Sequence, residues 1–215
     1  MMTDHQIIDK TISFVRTTLS NAEGGHDWWH INRVHINAKR IAETEECNIL
    51  TVELAALLHD IADSKFHNGD EEIGPRTAGD FLLTLNIDEE VIAHVQQIIR
   101  HVSFKSGFDK ATFKSPELFI VQDADRLDAI GAIGIARAFS YGGFKGREIY
   151  NPEIAPNLNM SKEEYKNTTA PSLNHFYEKL LLLKDKMNTT TGKELAQQRH
   201  TFMLAYLHQF YMECK

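Results

Sequence analysis

Apolar residues recur along most of this chain at intervals of three or four positions, which is the spacing of one face of an α-helix. The first such series is Ile8, Ile12, Val15 and Leu19. It predicts a helix over residues 4–20, with Thr3 and Gln6 forming a capping box at its start. We find no convincing strand and no repeat, so the pattern predicts an all-α protein.

The same spacing predicts most of the remaining chain to be helical. The predicted helices cover about 30–46, 51–61 with Thr51 as its cap, 74–85, 88–102, 115–139, a short one from Ser161 with Glu164, 172–187 and 192–213. Between them Tyr141–Met160 is rich in glycine and proline and has no periodicity, which is typical of a functional loop or lid. Glycines late in the 115–139 segment indicate close approach of a neighbouring helix.

Composition narrows the class of protein without naming its activity. Hydrophobic residues make up 42% of the 215 residues and charged residues 25%, as in a folded globular protein. The net charge of -7 gives no general attraction to nucleic acid or to anionic membranes. The two cysteines, Cys47 and Cys214, form no CxxC motif, and no apolar run is long enough to cross a bilayer. We therefore expect a cytoplasmic protein.

Four polar residues lie on faces that are otherwise apolar. His30 shares a predicted helix face with Val34 and Ala38. His59 and Asp60 end a very apolar helix, and Asp125 continues the face of Val121. An ionised carboxylate that is buried without a partner costs several kcal/mol, and a shared cation would remove that cost. Two imidazoles with two carboxylates suit Mn²⁺, Fe²⁺, Zn²⁺ or Mg²⁺.

Each of these residues also has a structural interpretation. A single histidine on an apolar face, such as His30, is more often an ordinary core residue. The pair His26 and Asp27 precedes two tryptophans and can simply cap a helix, while Asp125 can form a salt bridge with Arg33 or Arg126. The metal hypothesis rests on the four residues occurring together.

Four longer strings resemble the HD superfamily of metal-dependent phosphohydrolases, and in particular a bacterial branch of small, stand-alone HD-domain proteins. The strings are HDWWHINRV at 26–34, AALLHDIAD at 55–63, VQDADRLDAIGAIG at 121–134 and NHFYEKL at 174–180. The resemblance covers most of the chain. It implies an HD-domain helical bundle in one domain over 1–215, with a core at about 24–140, the loop or lid at 141–160 and a C-terminal helical extension at 161–215.

The resemblance also implies a role for each residue of the motif. The ligands of one divalent ion per chain, with manganese or magnesium favoured, would be His30, His59, Asp60 and Asp125. His26 and Asp27 would support the site. Members with two metals carry extra histidines in the interval that here contains His94 and His101. We expect one metal, with His101 lining the site.

The function implied is hydrolysis of a nucleotide, nucleoside triphosphates included, or of another small phosphate ester by a metal-activated water. Candidates for binding the substrate, besides His101, are Lys65, Lys105, Arg126 and Lys145, and Arg147 is a further cation in the glycine-rich loop. Two alternatives stay open: a catalytically inert nucleotide-binding regulator, and an HD-type diiron oxygenase, which would need six ligands. Whether the chain forms a homo-oligomer also stays open.

Asp63 is the candidate for moving a proton during hydrolysis, because it lies one helical turn after Asp60 and related HD enzymes carry an acidic residue there. The alternative is a surface pair with Lys65. We expect Asp63→Asn to bind metal and substrate normally and to lose roughly 10²–10⁴-fold in kcat. Single-turnover kinetics and metal analysis check this. Lost metal would make Asp63 a ligand, and an unchanged chemical step would leave it only the pair with Lys65.

Overall fold

Helices make up the regular structure of the protein in a computed structural model, which describes residues 2–20, 27–62, 70–102, 113–161, 164 and 167–214. The α-helices are α1 Asp4–Thr18, α2 Trp28–Ala42, α3 Ile49–Leu58, α4 Ile73–Thr84, α5 Glu89–Val102, α6 Pro116–Asp128, α7 Gly131–Phe144, α8 Asn174–Glu178 and α9 Thr190–Glu213. A 3₁₀ helix covers Leu180–Lys186. These residues contain no strand, which confirms the all-α class. None of their helices is long and apolar enough to cross a membrane.

The chain divides into two compact units, residues 1–125 and 126–215. In the first unit α3 packs against α1, α2 and α5, and α4 packs against α5. The central position of α3 explains its composition, since all side chains from Leu54 to Leu58 are excluded from solvent. In the second unit α7 and the 3₁₀ helix pack against α9, and α8 packs against the 3₁₀ helix.

Helix α1 begins as its sequence predicts. The Thr3 hydroxyl accepts a hydrogen bond from the Gln6 backbone N–H at 3.3 Å, and the Gln6 side chain accepts one from the Thr3 N–H at 3.0 Å. These reciprocal bonds satisfy two donors that have no partner inside the helix. The capping box is therefore confirmed.

The start of α3 differs from the prediction, because Asn48 caps it and Thr51 does not. The Asn48 side-chain oxygen accepts from the Thr51 N–H at 2.9 Å, and Thr51 itself is buried in the first turn. Asn48 has the extended backbone that a cap requires, and its own N–H donates to the Glu117 carboxylate at 2.9 Å. The helix also ends at Leu58, so Ile61 follows it in a turn.

The single long helix predicted over 115–139 is wrong, because the chain breaks between α6 and α7. Gly131 has a φ of 75°, a left-handed conformation that glycine adopts readily. Two arginines bond to the last residues of α6. Arg199 donates to the Leu127 carbonyl from seventy-two positions away, and Arg137, nine positions further on, donates to the Asp128 carboxylate at 2.5 Å. The contact from Arg199 cannot be seen in local periodicity.

Two of the glycines after this break have close neighbours. A Cβ on Gly131 would lie 3.0 Å from the Arg199 side chain of α9, which agrees with the expected approach of a neighbouring helix. A Cβ on Gly134 would lie 2.2 Å from the Ala129 carbonyl oxygen, which belongs to the turn just before α7. Gly134 therefore allows the backbone of the turn at Ala129 to lie against the first turn of α7.

The C-terminal predictions are confirmed in part. The pair Ser161 and Glu164 makes the reciprocal bonds of a capping box, at 2.7 and 3.2 Å. The predicted helix over 172–187 is instead α8 followed by the 3₁₀ helix, with Lys179 outside helical geometry between them. Helix α7 continues to Phe144, so the irregular segment begins later than predicted.

Gly134→Ala should destabilise the protein by about 1–3 kcal/mol or more, because the new methyl group would overlap a backbone oxygen that cannot move aside. Gly143→Ala is the matched control, since a Cβ there meets nothing within 4 Å. We expect the control to be neutral or slightly stabilising. Urea unfolding followed by circular dichroism measures both, and equal midpoints would contradict the close contact at Gly134.

Candidate metal centre

His30 lies in the first turn of α2, in the first unit. The Asp27 carboxylate accepts a hydrogen bond from the His30 backbone N–H at 2.9 Å and so fixes the start of the helix. The His30 side chain is only 3% exposed. Asp27 thus has the capping role that we considered for it, while His26 lies outside the described residues.

His59 lies at the C-terminal end of α3, and its ring is held by a backbone carbonyl. Its Nδ1 lies 2.8 Å from the Ala56 oxygen, and the side chain is 4% exposed. A carbonyl oxygen only accepts, so Nδ1 carries the proton and Nε2 keeps a free lone pair. Histidines that bind metals are commonly oriented in this way through their second nitrogen.

Asp125 of α6 brings a carboxylate to both imidazoles. Its Oδ1 lies 3.6 Å from His30 Nε2 and 3.9 Å from His59 Nε2. These separations exceed ordinary hydrogen-bond lengths. They suit groups that share one ion, because ligands about 2.0–2.2 Å from a metal lie roughly 3–4 Å apart. Arg126, which we considered as a salt-bridge partner of Asp125, donates to the Lys186 carbonyl at 2.5 Å.

Asp60 completes the cluster. Ligand atoms of His30, His59 and Asp60 all lie within 4.8 Å of one another. Three segments that are distant in sequence therefore meet here, namely the start of α2, the end of α3 and the last turn of α6. Nitrogen and carboxylate ligands in this mixture fit a divalent first-row metal or Mg²⁺. The donor set therefore fits the ion that the sequence predicts.

The two histidines of α5 have different partners. His94 Nε2 lies 2.9 Å from the Ser115 hydroxyl and 3.5 Å from the Glu117 carboxylate. His101 Nδ1 lies 2.8 Å from the Gln97 carbonyl, and both rings pack against Phe113. His94 thus contacts the start of α6, which gives it a structural interpretation. His101 stays a predicted lining residue of the site.

The other predicted site residues lie in different parts of the chain. Asp63, Lys65 and Lys105 lie outside the described residues. Lys145 is exposed, with its ammonium nitrogen 5.2 Å from the centre of the Phe144 ring. Sequence reasoning did not anticipate that Arg126 would bond a backbone carbonyl sixty residues away.

A second buried histidine of α2, His35, pairs with a glutamate of α3, and we interpret this pair as structural. His35 Nε2 lies 2.7 Å from the Glu53 carboxylate, which Lys39 also approaches at 3.5 Å. The hydrogen bond from His35 lowers the pKa of Glu53 below its ordinary value, and the positive charge of Lys39 adds to this effect. Burial of the carboxylate acts in the opposite direction but is the smaller effect.

The chain is similar to known proteins over most of its length. The model of the HD domain family matches residues 28–130. YpgQ of Bacillus subtilis is 38% identical over 201 residues, which cover 92% of this chain and 88% of that protein. A crystal structure of an HD-superfamily hydrolase from Bacillus thuringiensis superposes with a TM-score of 0.79 at 46% identity, covering 98% of each chain.

A second solved relative is YpgQ of Bacillus subtilis in complex with ADP, with a TM-score of 0.77 at 37% identity, covering 99% of this chain and 97% of that one. The chain belongs to the HD superfamily. In its general class it is a metal-dependent phosphohydrolase.

His59→Ala should lose the metal, because it removes a ligand whose ring is already held in place. Removing an outer partner of a metal ligand typically weakens affinity roughly 10–100-fold, and we expect a larger loss here. His94→Gln is the matched control from α5 and should keep one ion per chain. Plasma mass spectrometry of both purified variants measures the ion. Full occupancy in His59→Ala would exclude His59 as a ligand, and a fall from two ions per chain to one in His94→Gln would indicate a second metal.

Proposed function

We propose that this protein hydrolyses a phosphate ester or anhydride bond of a nucleotide, with one divalent cation held by His30, His59, Asp60 and Asp125. The observation that carries the proposal is the meeting of two buried imidazoles with two carboxylates. We favour Mn²⁺ or Mg²⁺, because the carboxylates supply hard oxygen ligands beside the imidazoles.

A divalent cation in such a site lowers the pKa of bound water and offsets negative charge on phosphoryl oxygens. The protein's own groups orient the ligands. The Ala56 carbonyl holds the His59 ring, and Asp27 fixes the first turn from which His30 projects. We assign proton transfer to Asp63. Lys65 and Lys105 are our candidates for binding phosphate oxygens, since each follows a helix that ends near a motif residue.

The nucleotide part of the proposal is supported by a relative. YpgQ of Bacillus subtilis, which is 37% identical and shares the fold over 99% of this chain, has been solved with ADP. ADP combines a nucleoside with a chain of two phosphates. A substrate of this chemistry would offer phosphoryl oxygens to the cation and to the lysines.

Binding of ADP by a relative is also what an inert nucleotide-binding regulator would do, so turnover must separate the two functions. A diiron oxygenase is less well supported, because His94, which could have supplied a further ligand, bonds Ser115. A pure regulator has no need of a cation held beside a proton-transfer group.

The experiment is a turnover assay of purified protein against nucleoside mono-, di- and triphosphates, ribo- and deoxyribo-, with Mn²⁺ or Mg²⁺. Phosphorus NMR identifies the product as phosphate or pyrophosphate and so locates the bond that is cleaved. We expect turnover that a chelator abolishes and added Mn²⁺ restores.

Asp125→Asn is the negative control, and it should be inactive because it loses the negative charge shared by the two imidazoles. Nucleotide binding without turnover, for every nucleotide tested, would favour the regulator. Turnover that persists in the chelator or in Asp125→Asn would contradict the proposed site.

A further inference from the structure

The outward side of α9 carries almost no charge. Between Glu194 and Glu213 the sequence contains a single lysine, arginine, aspartate or glutamate, which is Arg199, and its guanidinium donates to the Leu127 carbonyl. In the whole chain 25% of the residues are charged. The solvated side of a surface helix is normally charged, so this side of α9 has an unusual composition for a surface that faces only water.

Three large apolar side chains of this stretch face solvent. Phe202, Leu204 and Met212 are between 47% and 54% exposed. Single exposed apolar residues are ordinary, but three together on the uncharged side of one helix indicate a contact surface. Interfaces between proteins are enriched in aromatic residues and methionine and depleted in lysine and glutamate.

The exposed side of α9 also has the spacing of a helix that packs against another helix. Helix α7 and the 3₁₀ helix pack against α9, where Leu195, Met203 and Leu207 are buried. The middle of the opposite side follows a line of exposed residues separated alternately by four and three positions, which is the heptad spacing of paired helices. These residues are Glu194, Gln198, Thr201, Ala205, His208 and Met212.

This line is symmetric about Met203. Thr201 and Ala205 are each two positions from it, and Gln198 and His208 are each five. In an antiparallel pair of α9 helices, Thr201 of one copy would therefore face Ala205 of the other, and Gln198 would face His208. The small side chains at the centre allow close approach, and an amide can form a hydrogen bond with an imidazole. The twofold symmetry of such a pair repeats both contacts.

Phe202 and Leu204 lie on opposite sides of this line, each one position from Met203. A twofold axis through the centre brings each of them against the same residue of the other copy. Two aromatic rings on one side and two leucine side chains on the other would leave water together, which is favourable. A second copy of the chain would therefore cover the exposed apolar groups in matched pairs.

The charge of the protein also favours a second copy at this surface. Each copy carries a net charge of -7, so two copies repel one another in general. The uncharged side of α9 lets them approach without bringing like charges together at the contact. Antiparallel helices in addition bring opposite ends of their dipoles side by side.

We propose that α9 is the contact surface of a homodimer, in which the α9 helices of two copies pack antiparallel about a twofold axis at Met203. The line of contact from Glu194 to Met212 is roughly 27 Å long at about 1.5 Å per residue. One helix from each copy makes an interface at the small end of the stable range, so we expect association at micromolar concentration.

Sedimentation of the Mg²⁺-loaded protein from about 1 to 100 μM tests the proposal. The mass should rise from that of one chain towards that of two. Ala205→Glu should weaken dimerisation roughly 100-fold or more, because it introduces two carboxylates beside the axis. Ala93→Glu is the matched control, since Ala93 is an exposed alanine of α5 in the first unit, and it should associate as the unchanged protein does.

A second substitution tests the antiparallel register. Thr201→Lys combined with Ala205→Glu places a lysine opposite a glutamate twice in the antiparallel pair. The double variant should therefore recover the association that Ala205→Glu loses. In a parallel pair it would place like charges opposite each other and would recover nothing.

A monomer throughout this concentration range would overturn the proposal, and so would equal association of Ala205→Glu and Ala93→Glu. A double variant that stays dissociated would overturn the antiparallel register. Urea unfolding followed by circular dichroism checks that each variant is folded, which we expect because the substituted side chains are exposed. Thr201→Lys alone, which also places two like charges beside the axis, replaces Ala205→Glu if that variant fails to fold.

Discussion

The Asp125 carboxylate lies 3.6 and 3.9 Å from the Nε2 atoms of His30 and His59, whose side chains are almost excluded from solvent. The Asp125 side chain is 34% exposed, so its charge is partly desolvated, and a cation shared with the two imidazoles would offset that cost. A shared ion therefore requires that ligands from three helices lie close together. The first turn of α2, the end of α3 and the last turn of α6 must meet at one point.

Helix α3 is the central element of this arrangement. Its apolar residues are buried by α1, α2 and α5, so its C-terminal His59 has a fixed position. Helix α6 contacts both ends of α3. Glu117 accepts a bond from Asn48 at the start of α3, and Asp125 faces His59 at its end. The two helices therefore run in the same direction and are joined at both ends by side chains.

The acidic residues at the two ends of α6 have different partners. Burial alone would raise the pKa of Glu117, but the backbone N–H groups of Asn48 and of Glu117 itself, with nearby His94, hold it below its ordinary value. The depressed pKa means that this carboxylate stabilises the fold above its unfolded pKa, and the contribution is lost as the pH falls through the lower, folded pKa. At the other end, Arg137 and Arg199 bond the last residues of α6.

The helical class and most helix positions could be predicted from the sequence, because period and caps are local properties. The cap of α1 at Thr3 and the reciprocal bonds of Ser161 with Glu164 are examples. The candidate ligands were also visible, since each is a polar residue that interrupts an apolar face, and the resemblance to HD proteins assigned them to one ion. Periodicity alone could not place His30 beside Asp125, which lies 95 positions further along the chain.

Only the tertiary structure decided where helices end and which partners the charged side chains have. The segment 115–139 has continuous helical spacing, yet Arg199 and the left-handed backbone of Gly131 divide it in two. In the same way the bond from the Arg126 guanidinium to the Lys186 carbonyl, sixty positions away, could not be predicted from local spacing. Local spacing determines which residues can share a helix face, because that depends on neighbours three and four positions away. Side chains that arrive from sixty or seventy positions away decide the ends of helices and the partners of charges, and that information exists only once the chain has folded.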